Sequence, residues 1–247
     1  QSPPIPLEGP GNANRCAGAW LDVRTNLTTP ERLMTLLNPI NVIQTSDRSL
    51  AFAGNSWDEI EPLVFRNTTS PELLIFRENR ESGIETMIRG NNPTTAYLKL
   101  TGMDTPGFHK NAIKACFLLF ASVIILWPLG FITKLRKKNR KSSKGAQRTG
   151  ILVWIVSLLN ILFILNLQRM ITPMGFGFGV PAGMSTHHRL PLLQPLMAAG
   201  LAVMLVIALK NRYWTTFARL HYTLIAAASI FMVWWLNYWN LLGYSFS

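Results

Sequence analysis

Apolar and polar positions alternate in short runs from residue 15 to residue 100, then give way to four long, almost unbroken apolar runs. Ala19–Arg24, Ile40–Thr45, Leu50–Ala53, Glu59–Arg66, Leu73–Arg77, Ile84–Ile88 and Ala96–Leu100 each show the period of a short strand. Turn-forming residues separate them at Ser46–Arg48, Asn67–Pro71, Glu78–Gly83 and Gly90–Pro93. Strands at that spacing predict a small antiparallel β domain, a meander or a small barrel. One short helix is expected over Pro30–Leu37, capped by Thr29, with Leu33, Leu36 and Leu37 on its apolar face. Alternation also places Glu59 and Glu61 on one face of a single strand, expected to be the solvated one.

The long runs lie near 112–133, 150–167, 190–209 and 220–242. Each approaches the roughly 20 residues needed to cross a hydrocarbon core. The expected fold class is therefore an α-helical membrane bundle of four transmembrane helices behind the β domain. The domain plan is a linker over 1–14, a β-rich domain over 15–104 and a membrane domain over 105–247. The chain begins at Gln1 rather than Met, which fits either a removed signal peptide or the tail of a longer polypeptide.

Charge sharpens this division. All 12 acidic residues fall between Glu8 and Asp104, and that first part sums to −3. The remainder has 15 basic residues and no acid. Eight of those 15 lie between Lys134 and Arg148, and three more between Lys210 and Arg219. Basic loops of this kind mark the cytoplasmic side. The β domain, the loop over 168–189 and the C-terminus are then expected outside. The same pattern argues against nucleic acid as the partner of this basic chain.

The expected membrane helices carry no carboxylate, which excludes carboxylate proton relays and carboxylate ion sites there. Asn160 reads as interhelical glue. Of the histidines, His109, His187 and His188 have no metal-ligand spacing, and His221 is the one weak candidate for holding a pigment or metal. No metal site and no cofactor is otherwise expected, although lipid or pigment contacts fit the aromatic content. Gly175–Gly179 lacks the strand and helix of a phosphate loop. Cys116 reads as a small core hydrophobe, and the sequence leaves open whether it pairs with Cys16. Asn26 and Asn67 open sequon triplets. Phe176, Phe178, Trp234, Trp235, Tyr238 and Trp239 crowd the expected outer rim and form the candidate interface for lipid or partner subunits.

Several stretches resemble one bacterial family. They are Pro62-Leu63-Val64-Phe65-Arg66, Leu74-Ile75-Phe76-Arg77-Glu78, Trp127-Pro128-Leu129, Arg219–Leu224 and Leu236–Gly243. Together they resemble the small β domain and C-terminal membrane domain of serine β-lactamase-like, penicillin-binding-protein-like hydrolases. The resemblance implies the bacterial inner membrane, with the β domain and C-terminus periplasmic. The family's catalytic Ser-x-x-Lys occurs nowhere in this chain, so no catalytic residue carries over. The favoured expectation is a non-catalytic accessory or structural subunit of a larger respiratory or photosynthetic membrane complex, with other integral membrane subunits and lipids as partners. The alternative is the membrane-anchoring C-terminal part of such a hydrolase.

Overall fold

A computed structural model describes residues 10–29, 32–80, 83–136, 144–170 and 189–242. The chain forms two compact units, Gln1–Leu27 with Arg32–Lys110, and Thr28–Glu31 with Asn111–Ser247.

The first unit is a closed antiparallel barrel of eight strands in sequence order. They are β1 (Gly18–Asp22), β2 (Ile40–Ser46), β3 (Ser49–Phe52), β4 (Asn55–Glu61), β5 (Val64–Asn67), β6 (Leu73–Asn79), β7 (Gly83–Arg89) and β8 (Asn92–Lys99). Trp20 pairs with Ile40 on one side and Lys99 on the other, and this closes the ring. Of the two expected β architectures, the barrel is the one adopted. The interior of an eight-strand barrel is narrow enough for its own side chains to fill it. Here Trp20, Phe52, Trp57, Phe65, Phe76 and Met87 supply much of that filling. Trp20 and Phe65 both pack on Phe76 with centroids 5.5 Å apart. The indole N–H of Trp20 donates to Cys16 O, and that of Trp57 donates to Phe52 O, so neither ring buries an unmet donor.

Three expectations need correction. Glu59–Arg66 is not one strand but the end of β4, a two-residue turn and β5, with Glu61 paired to Val64. Pro62 has no N–H for a ladder, and Leu63 takes φ 65, so the chain reverses there. The helix expected over Pro30–Leu37 is described as α2 at Leu33–Leu37, and its expected start at Pro30 lies outside the described residues. The expected linker also ends early. Ala13–Cys16 form a helical turn, α1, whose Ala13 and Cys16 are fully buried in the barrel core. At Gly11 the residue choice answers packing. A Cβ on Gly11 would lie 1.9 Å from Asp47 O, so only glycine fits that approach.

The second unit is helical: α3 (Pro106–Arg136), α4 (Lys144–Met170), α5 (Arg189–Lys210) and α6 (Thr216–Tyr238). All four are long and apolar enough to cross a membrane, with mean hydropathy of 2.2, 2.4, 2.3 and 1.4 over the most apolar 18 residues of each. Many large apolar side chains point away from the unit's core, among them Leu118, Ile125, Leu196 and Val206. Such outward apolar faces suit lipid as the solvent. Inside, Phe120, Val156, Leu201 and Met232 bring one residue from each helix into a shared core. Helix α6 is capped by Thr215, whose Oγ1 accepts from Ala218 N at 3.4 Å. It stops at Tyr238, four residues before the expected end. Asn240 takes φ 54, and Leu241 N donates back to Leu236 O at 2.8 Å, the left-handed closure that asparagine tolerates.

Candidate functional site

Five places among the described residues bring polar or aromatic groups together. The first is the α1 mouth of the barrel. Strand β4 alternates so that Trp57 and Glu59 both face inward, and Glu59 is 8% exposed rather than solvated. Its carboxylate accepts from Asn12 N at 3.1 Å, Asn12 Nδ2 at 2.7 Å and Leu63 N at 3.3 Å. Arg15 extends the network, donating to Asn12 Oδ1 and pairing with Glu78. Lys99 Nζ donates to Arg15 O and lies 5.9 Å from the centre of the Trp20 ring. Burial lowers the Lys99 pKa, and the Arg15 charge lowers it further against a raising influence from Cys16. Burial pushes the Cys16 thiol up to about 12, so it stays a protonated hydrophobe rather than a nucleophile. These contacts hold α1 in place.

A shallow cleft of about 190 Å³ runs beside β1 and α2, lined by Trp20, Asp22, Thr25, Thr35, Asn38 and Ile40. It falls below the ~300 Å³ at which small-molecule sites begin. Asp22 is already engaged, since its Oδ1 accepts from Arg24 N at 2.9 Å.

In the helical unit His221 is half-buried, and its Nε2 lies 2.8 Å from Ser122 Oγ, which ties α6 to α3. That contact occupies one ring nitrogen in helix packing. His109 is fully buried near the start of α3. His187, His188, Phe176, Phe178 and Gly175–Gly179 lie outside the described residues. Among the described residues no three His, Cys, Asp or Glu side chains group as metal ligands. Cys16 and Cys116 are both buried free thiols. Asn67 is also buried, with its Oδ1 accepting from Thr69, so its sequon is not presented.

Asn160 does join two helices. Its Oδ1 accepts from Gln194 Nε2 at 3.2 Å, and its own Nδ2 donates to Val156 O. The aromatic rim divides. Trp235 and Trp239 are 1% and 2% exposed, with rings 6.0 Å apart, and belong to the interior rather than to an interface. Trp234 faces outward, stacked between Phe231 at 5.3 Å and Tyr238 at 5.4 Å. The signal for this division was present in the sequence: positions 235 and 239 continue the buried stripe of Ile225, Ala228 and Met232, and position 234 does not. No protein-family model, curated protein or solved structure matches the chain.

Proposed function

We propose that this chain is the non-catalytic, membrane-anchoring part of a serine β-lactamase-like hydrolase, seated in the bacterial inner membrane with its barrel on the periplasmic side. The observation that carries the reading is the placement of the resembling stretches. Pro62–Arg66 and Leu74–Glu78 lie on neighbouring strands, joined by the pairs Val64–Ile75 and Phe65–Leu74. Leu236–Leu242 forms the closing turn of the last membrane helix. A barrel filled by its own side chains is suited to spacing and support rather than to turnover. The periplasmic assignment rests on the basic loops on the other side.

A second reading, an accessory subunit of a larger membrane complex, draws its support from the outward ladder of Phe231, Trp234 and Tyr238. Stacked aromatics on an outer helix face suit a neighbouring membrane subunit.

Spheroplasts expressing the gene from its own locus separate the two. An antibody to the barrel should detect a membrane band well above 27.8 kDa that also binds a fluorescent penicillin covalently. An unlabelled band at 27.8 kDa, migrating on native gels within a larger complex, overturns the anchor reading in favour of the second. In the same cells an impermeant maleimide should react with Ser70→Cys, and with Lys144→Cys only after permeabilisation. The reverse order defeats the orientation.

A further inference from the structure

Hydroxyl side chains on the membrane helices mostly bond to their own backbone. Thr149 donates to Gly145 O at 2.9 Å, Thr223 to Arg219 O at 2.9 Å and Ser229 to Ile225 O at 3.0 Å. This is the ordinary way for a helix in an apolar setting to absorb a hydroxyl. Ser157 departs from it. The residue is fully buried in α4, yet its Oγ makes no hydrogen bond among the described residues.

Ser157 lies one turn before Asn160 on the same helix face. Asn160 is in turn bonded to Gln194 of α5, a side chain 3% exposed. With its Nε2 given to Asn160, Gln194 keeps a buried Oε1 that no described group satisfies. Two helices thus present one unmet hydroxyl and one unmet carbonyl oxygen around the same Asn160 contact. Both groups are neutral, and Ser157 and Gln194 are too deeply buried to meet a second protein chain. An unmet polar group at hydrocarbon depth is strongly unfavourable, which favours a small ligand able both to accept and to donate.

We propose that the α4–α5 contact at Ser157, Asn160 and Gln194 binds a water molecule that accepts from Ser157 Oγ–H and donates to Gln194 Oε1. Pro195 has no N–H to give to the Pro191 carbonyl, which leaves a backbone acceptor one turn from Gln194 for the water's second proton. Asn160 is seven residues from Leu167, where the α4 span ends. At about 1.5 Å per residue the site is roughly 10 Å from that end. The bound water joins α4 to α5 in a bundle whose membrane helices carry no carboxylate.

Water-edited solid-state NMR on the full chain in lipid bilayers, with ¹⁵N-labelled glutamine, tests this directly. The side-chain amide of Gln194, assigned by its loss in Gln194→Met, should receive magnetisation from water while apolar mid-helix amides do not. The matched pair Ser157→Thr and Ser157→Val then separates hydroxyl from shape. Transfer should persist in Ser157→Thr and fall to the level of the buried amides in Ser157→Val. Absence of transfer to Gln194 in the unmodified chain overturns the proposal. So does transfer that survives in Ser157→Val.

Discussion

Asn12 grips Glu59 with both its backbone N–H and its side-chain amide, across 47 residues of sequence. That bidentate contact fixes α1 over one mouth of the barrel and places Ala13 and Cys16 inside. Hydrogen bonds to a charged group contribute about 1.5–3 kcal/mol, and an abandoned buried donor costs a similar amount. Glu59→Ala should therefore destabilise the barrel by roughly 2–3 kcal/mol. Glu59→Gln should do so by about half as much, because its new amide faces a donor. The exposed Glu61→Ala should change stability by less than about 0.5 kcal/mol. Hydrogen exchange of the barrel amides reads all three. Equal, small effects at positions 59 and 61 would restore the solvated-face picture of Glu59.

Cys16 sets a pH dependence with a definite sign. Burial raises its pKa from 9.0 to about 12 in the folded barrel. Below pH 9 the thiol is protonated in both folded and unfolded chains, so the stabilisation is fully present. As pH rises from 9 towards 12 only the unfolded chain ionises, and stability is lost across that window. Cys16→Ala should flatten this slope. In a Cys116→Ala background, iodoacetamide at pH 8 should leave the folded chain unmodified and alkylate it in denaturant. Rapid labelling of the native protein would mean that the thiol is neither buried nor held neutral.

Much of the fold was legible because period and length are strong signals. The four membrane helices follow from apolar runs that no soluble core of this size could bury, and seven of the eight strands follow from alternation. The eighth was missed at Glu59–Arg66, where alternation continues through the turn. Pro62 was the available sign of a break, and Leu63 at positive φ is a choice that no propensity suggests. Barrel closure was not legible either, since it depends on Trp20 meeting Lys99 across most of the β domain. Site chemistry was harder to read for the same reason. Ser122 meets His221 across 99 residues, and only packing creates that pair. Asn160 was recognisable as glue from its depth in an apolar run, but its partner Gln194 was not.

The paired rings of Trp235 and Trp239 distinguish a core from an interface. Both continue the stripe that places Tyr222, Ile225, Ser229 and Met232 against the other helices, and both are nearly inaccessible. Trp234, one residue away and about 100° around the helix, is 39% exposed. Truncating a fully buried tryptophan removes its packing and leaves a cavity, at about 3–5 kcal/mol. Trp235→Ala and Trp239→Ala should therefore each lower the thermal midpoint of the detergent-solubilised chain sharply. Their effects should not add, because the rings share a contact. Trp234→Ala should shift the midpoint little, since that ring keeps only its stack with Phe231 and Tyr238. If a membrane partner docks on α6, Trp234→Ala is the substitution that should release it on native electrophoresis without loss of fold. A result in which Trp235→Ala dissociates a complex while leaving the midpoint unchanged would turn that ring outward and contradict its place in the bundle.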